Sequence, residues 1–224
     1  MSYDPKYFHN FFEENEFKEL LKFTEEIFNS SKFGSEQNLK YRYVIKLDKT
    51  AGKRYCQMLP EMLPESIFKK ITEYGKNINS NLIFSHVNIT TYSGEYGTPG
   101  LPPHFDRPSK VEFLLDYQLK STIDWPLMIE GVEYKMENNT ALLLENSKKV
   151  HWRNPIKFEK NDNVTVMFFS FENPFAELSN QEGHTEAIKK YYPMYAKKME
   201  EFGQETGILL KAMEMYEASE KGLY

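Results

Sequence analysis

A chain of 224 residues, 40% hydrophobic and 15% aromatic, has material for one large core and little room for a second. Its formal charge of -5 comes from 28 basic and 33 acidic residues interspersed along the sequence, so no basic stripe offers a footprint for nucleic acid or an anionic membrane. The single cysteine, Cys56, excludes an internal disulfide, MSYDPKYFHN has neither a basic nor an apolar leader region, and apolar runs such as Val164 to Phe169 are too short to span a bilayer; a cytoplasmic protein is expected.

The first predicted element is an amphipathic helix over Glu16–Phe28, where Phe17, Leu20, Leu21, Thr24, Ile27 and Phe28 recur at helical spacing. A loop rich in Ser, Gly and Asn follows, and then LKYRYVIKL (Leu39–Leu47) alternates as a half-buried strand does. A second short helix opens after Pro64, with Ile67, Phe68 and Ile71 on one face. From Leu82 the pattern changes to β-branched and aromatic segments divided by Gly, Asn, Asp and Pro: LIFSHVNITTY, VEFLLDYQL, PLMIEGVEYKM, TALLLENSKKVHWRNPI and NVTVMFFSFEN. After Pro174 two helices are expected, Glu186–Phe202 and Ile208–Glu217, whose Met194, Met199, Met213 and Met215 need apolar surface to cover. The whole of 1–224 is therefore expected to be a single domain. Residues 1–81 form a mainly helical support, 82–173 the β core and 174–224 a helical tail. The fold class is mainly β with flanking helices, a double-sheet jelly roll or double-stranded β-helix.

Five histidines are present, and one of them ends a Gly/Pro-rich loop two residues before an aspartate: YSGEYGTPGLPPHFDRP, Tyr92 to Pro108. In an extended segment His104 and Asp106 share a face. His151 lies 47 residues beyond His104, at the end of another strand-like run. Two imidazoles and one carboxylate on one face of an octahedron leave three positions open, the arrangement of non-haem Fe(II) oxygenases. An HxD pair alone is weak, since histidines on strands more often serve packing or hydrogen bonding. His9, His86 and His184 have no carboxylate at ligand spacing and are read as structural; Cys56 is read as a buried thiol.

From VNITTYSGEYGTPGLPPHFDRP through ALLLENSKKVHWRNPI to VTVMFFSFEN, roughly Phe84 to Asn173, the sequence resembles the Fe(II)- and 2-oxoglutarate-dependent dioxygenases, closest in layout to the prolyl-4-hydroxylase-like branch. Tyr92-Ser93-Gly94 matches the Tyr-x-Gly that precedes the HxD loop in that branch, and Pro155 matches the proline after the distal histidine. The resemblance implies that His104, Asp106 and His151 are the metal ligands and carry catalysis. It implies Fe(II), 2-oxoglutarate and O2, with ascorbate as a reductant. The reaction implied is hydroxylation of an unactivated C–H bond of a small molecule, amino acid or peptidyl residue, with release of succinate and CO2. Asp106 favours hydroxylation over halogenation, because the related halogenases lack this carboxylate.

For the 2-oxoglutarate tail the family places an Arg or Lys before the last core strand. Lys160 is the basic residue of that window, in a predicted turn. Arg153 is the alternative, two residues beyond His151 and able to grip a carboxylate with two parallel donors. Tyr92 and Tyr117 are candidates to assist, and Trp125, Trp152 and Arg107 flank the proposed site. Two other readings stand beside the oxygenase: a non-catalytic jelly-roll domain that binds a metal or small ligand, and a zinc hydrolase, which lacks a general-base Glu at a recognisable spacing.

Overall fold

Alternation of apolar and polar residues in the central third builds the sheet on which everything else is mounted. The computed structural model describes residues 4–29, 44–48, 52–96, 99–106, 110–145, 148–176 and 183–201. In chain order the elements are β1 (Lys6–Phe8), α1 (Glu14–Asn29), β2 (Val44–Asp48), β3 (Lys53–Met58), α2 (Glu65–Ile78), β4 (Ile83–Ser93), β5 (Leu101–His104) and β6 (Val111–Ser121). They continue with β7 (Leu127–Ile129), β8 (Val132–Tyr134), β9 (Thr140–Glu145), β10 (His151–Arg153), β11 (Asn163–Glu172) and α3 (His184–Glu201). Seven strands form one antiparallel sheet in the order β1-β9-β6-β11-β4-β3-β2, and four form a second in the order β5-β10-β7-β8. This is a mainly antiparallel β fold with a jelly-roll core.

The two faces of the large sheet have opposite chemistry. On β4, Val87 and Ile89 face the helices, joined there by Leu115 and Tyr117 of β6 and Phe169 and Phe171 of β11, all buried. α1 and α2 cover this face with Leu20, Ile27, Ile67 and Ile71, all of them buried. Burying one such side chain contributes about 1.5–3 kcal/mol, which is why an amphipathic stripe is enough to dock each helix. The α1 start is fixed locally: the Glu16 carboxylate accepts a hydrogen bond from the Glu13 N–H at 2.9 Å. The Glu16 side chain also pairs with Lys70 of α2, tying the two helices together.

The other face of the large sheet looks onto the small sheet. Leu142 and Leu144 pack there against Leu127 and Ile129, and Val164 and Val166 against Tyr92 and Trp125. β7 and β8 form a hairpin whose two-residue turn, Glu130-Gly131, has φ of 49° and 88°, the left-handed pair that matches strand twist. α3 covers the outer side of the small sheet: Ile188, Tyr191, Tyr192, Tyr195 and Met199 cluster with Phe105, Met128, Val150 and Trp152. The helix runs through Pro193. Met194, grouped above with the packing methionines, is exposed, whereas Met199 is buried.

Residues 1–81 supply more than helices, since β1, β2 and β3 all enter the large sheet, β1 against β9 and β3 against β4. The strand expected at Leu39–Leu47 is described from Val44 onwards, and the helix expected at Ile208–Glu217 lies outside the described residues. No described helix is long and apolar enough to cross a membrane.

Candidate metal centre

β5 and β10 are neighbours in the small sheet, and their register puts His104 opposite His151. The two rings lie 4.3 Å apart. Asp106, two residues past His104, leaves β5 at the same end and brings a carboxylate oxygen to 3.9 Å from His151 Nε2, too far for a hydrogen bond. One ligand atom from each of His104, Asp106 and His151 lies within 4.8 Å of the others; among the described residues this is the one such group of three or more.

The tautomers are set by the backbone. His104 Nδ1 sits 2.8 Å from the Pro102 carbonyl and His151 Nδ1 sits 3.1 Å from the Lys149 carbonyl. A carbonyl only accepts, so each Nδ1 carries the proton and each Nε2 keeps a lone pair for a metal. Burial pushes the His104 imidazole down to about 4, with the nearby His151 ring acting in the same direction and Asp106 against it. At neutral pH His104 is therefore the unprotonated ligand that a metal needs. The donor set, two imidazole nitrogens and one carboxylate, fits a divalent first-row metal and matches the open three-ligand arrangement of non-haem iron.

The triad opens on a cavity of about 420 Å³ between the sheets. Arg153 lies in its wall, 2% exposed, two residues beyond His151 as strand alternation requires. Its Nη1 donates to the Trp125 carbonyl and its guanidinium lies 5.3 Å over the Trp125 ring. Nη2 is buried and has no hydrogen-bond partner among the described residues. Burial lowers the Arg153 pKa, opposed by Asp116, yet an arginine starts high enough to keep its charge. A buried donor left open on a cation, facing a cavity, is a receptor for an anion. Tyr92 lines the same cavity and packs edge-on against Trp125, ring centroids 4.9 Å apart.

Two of the candidates drawn from the sequence fall elsewhere. Lys160 is exposed in the turn between β10 and β11, closed by the Asp162 N–H to the Glu159 carbonyl at 2.9 Å, and it does not line the cavity. Tyr117 faces the helices: alternation on β6 turns Asp116 to the cavity and Tyr117 away from it. Its hydroxyl donates to Asn139 Oδ1 at 3.0 Å, among Phe11, Phe12 and Phe169. Trp152 points away from His151 and packs on Tyr191, centroids 5.1 Å apart. Arg107 lies outside the described residues. His86 is hydrogen-bonded to two serines and takes no part in the metal group, as its lack of a neighbouring carboxylate implied, but it does line the cavity.

Besides His86 and Tyr92, named above, the sequence held cavity residues that were not singled out, Asn88 and Thr90 among them. On β4, His86, Asn88, Thr90 and Tyr92 recur at every second position between the apolar Val87 and Ile89. A strand with one apolar and one hydrogen-bonding face, in the middle of a sheet, is the signal of a lined cavity. Asp116 is the other omission. It is 3% exposed, its Oδ1 has no hydrogen-bond partner among the described residues, and burial raises its pKa against the pull of Arg153. Lys53 of β3 lines the cavity beside Tyr92, its partner in register.

No protein-family model and no curated protein sequence matches the chain. Solved structures do match in fold. A prolyl-4-hydroxylase of Pseudomonas putida superposes with a TM-score of 0.55 at 10% identity, over 75% of this chain and 92% of that one. A prolyl 4-hydroxylase of Phytophthora capsici gives a TM-score of 0.59 at 13% identity, over 97% and 83% of the two chains. The epimerase SnoN, solved with Fe3+, alpha ketoglutarate and nogalamycin RO, gives 0.54 at 8% identity, over 80% and 82%. At these identities the likeness is one of fold.

Proposed function

We propose that this protein is an Fe(II)- and 2-oxoglutarate-dependent oxygenase that hydroxylates a C–H bond, with His104, Asp106 and His151 holding the iron and Arg153 gripping the distal carboxylate of 2-oxoglutarate. The observation that carries the reading is the pairing of a two-histidine, one-carboxylate cluster with a buried, unfilled arginine donor in one cavity. A metal site alone fits a non-catalytic binding domain equally well. The additional buried cation supplies what a dicarboxylate co-substrate requires, since an anion withdrawn from water without a partner is strongly disfavoured.

Each residue has a defined task. His104 and His151 offer Nε2, held in orientation by the Nδ1–H bonds to Pro102 and Lys149 carbonyls. Asp106 neutralises part of the metal's charge and leaves the remaining coordination positions to ligands from solution. When bound, Fe(II) supplies the redox chemistry that couples oxidative decarboxylation of 2-oxoglutarate by O2, to succinate and CO2, to oxidation of the substrate. Arg153 orients the co-substrate. The Trp125 carbonyl and ring fix the guanidinium from one side, so that Nη2 is presented without loss of side-chain freedom on binding. Tyr92, beside Trp125, closes that end of the cavity.

The test is succinate formation from 2-oxoglutarate by the full chain with Fe(II) and ascorbate, together with 2-oxoglutarate titrations of variants. Losing one partner of a buried charged pair costs about 3–5 kcal/mol, so Arg153→Ala raises the apparent constant for 2-oxoglutarate on the order of a hundredfold or more. Lys160→Ala leaves it unchanged. Wild-type protein that binds metal but neither binds nor consumes 2-oxoglutarate would leave the binding-domain reading in its place.

A further inference from the structure

The charge of the cavity is divided between its two ends. Tyr92 and Lys53, partners in register, and Arg153 mark one end, which is cationic. Six residues back along β4, roughly 20 Å at the strand rise, His86 stands opposite Ser170 of β11, and Glu172 follows on the same face. Asp116, paired in register with Phe168 between these ends, feels both Arg153 and His151. The cavity therefore has a cationic end and an end where hydrogen-bonding side chains dominate, Gln57, Asn88, His86, Ser170 and Glu172, with Asp116, which feels His151, between them.

Glu172 is half-buried in this wall, and among the described residues no cation is paired with it. Among the described residues none forms a salt bridge or hydrogen bond with its side chain. Lys110, on the neighbouring strand end, donates its ammonium to the Pro174 carbonyl at 3.1 Å. His86 feels the charge of Glu172, but its two ring nitrogens are engaged by Ser85 Oγ at 3.0 Å and Ser170 Oγ at 2.9 Å. Burial drives its pKa down against the pull of Glu172, so it contributes no positive charge at neutral pH. A carboxylate partly withdrawn from water, facing a cavity and lacking a cation, is a site for one brought by a ligand.

We infer that the substrate carries a cationic nitrogen, an ammonium or guanidinium, which Glu172 holds, while Ser170, Asn88 and Gln57 hydrogen-bond its polar neighbourhood; the C–H bond presented to His104, Asp106 and His151 then lies between that nitrogen and the metal. This substrate class rests on the oxygenase reading, but the cation site itself does not. Arg153 at the opposite end takes the co-substrate's carboxylate, so the two charged ends hold the two ligands apart and in one orientation.

The experiment uses cadaverine and agmatine as cationic probes and 1,5-pentanediol as the neutral isostere of cadaverine. Binding to the full chain is measured by saturation-transfer NMR without metal, and by line broadening from Mn(II) in the presence of saturating 2-oxoglutarate. The cationic probes bind and are broadened, pentanediol does neither, and Glu172→Gln, which keeps the size of the side chain, weakens cation binding by about tenfold or more. Glu172→Asp retains part of it. Equal affinity of wild type and Glu172→Gln, no cation binding to the wild type, or bound cations that Mn(II) does not broaden each overturn the inference. Broadening of 2-oxoglutarate itself is read in the same tubes. Its absence alongside intact, Glu172-dependent cation binding in the metal-free arm defeats the oxygenase reading and leaves the cation site standing.

Discussion

His104, a proposed metal ligand, also bears on folding. Its pKa falls from 6.5 to about 4 in the folded, metal-free chain, chiefly through burial. Between these values the unfolded chain takes up a proton that the folded chain refuses, so stability from this group is complete above 6.5 and declines as pH drops toward 4. Asp116 works in the opposite sense: with its carboxyl raised above 3.8 by burial, the unfolded chain releases a proton first, and this group favours the folded state on the acid side of its window. The two are separable by substitution. Thermal melting of the metal-free protein between pH 4 and pH 7 is expected to show a loss toward acid that His104→Gln flattens and Asp116→Asn steepens. A melting profile of His104→Gln that parallels the wild type would remove His104 as the source.

At the scale of elements, the loop that delivers His104 and Asp106 is held by backbone contact. A Cβ at Gly94 would lie 2.2 Å from the Glu159 carbonyl oxygen, and the Gly94 N–H donates to the Asp162 carbonyl at 3.2 Å. Glycine in the Tyr92-Ser93-Gly94 segment thus lets the end of β4 close onto the turn before β11, and Gly94→Ala forces two stretches of backbone apart. The expected outcome is destabilisation of about 1–3 kcal/mol in chemical denaturation, with weaker 2-oxoglutarate binding because Tyr92 is displaced with the loop. This glycine was visible in the sequence as part of a motif; its reason was not, since a contact with residues about 65 positions away leaves no local periodicity. The same distinction runs through the strands. β4, β6 and β11 were legible because each is long and rich in β-branched and aromatic residues, whereas PLMIEGVEYKM was read as one β segment and is in fact the β7–β8 hairpin turning at Glu130-Gly131. β1 has three residues, too few to show a period. TALLLENSKKVHWRNPI reads as one β-rich run, yet β9 joins the large sheet and β10 the small one, a choice made by tertiary pairing and not by any residue within the run.

On the scale of the whole molecule, the proposed metal site would act as a clip. His104 and His151 sit on β5 and β10, adjacent strands of the small sheet, while Phe105 and Trp152, the residues beside them in sequence, face outward into the cluster covered by α3. The sequence could single out the three candidate ligands because a His-x-Asp pair and a distal histidine carry their chemistry in residue type, and the fold brings their ligand atoms within 4.8 Å of one another. The sequence favoured Arg153 over Lys160 as the candidate anchor through strand position and guanidinium geometry alone; their difference in burial is a property of the assembled sheets. A ligand that binds the folded state and not the unfolded one adds RT ln(1 + [L]/Kd) to stability, about 2.7 kcal/mol at a hundred times Kd. Mn(II) is therefore expected to raise the melting temperature, and 2-oxoglutarate to raise it further only in the presence of the metal. Cys56 offers an independent clock: 0% exposed and with its thiol pushed up to about 12 by burial, it reacts with a thiol reagent only when the fold opens. His151→Ala is expected to melt close to the metal-free wild type and to show neither the Mn(II) increment nor the Mn(II)-dependent protection of Cys56. If His151→Ala retains both, the ion is held elsewhere and the assignment of the triad falls.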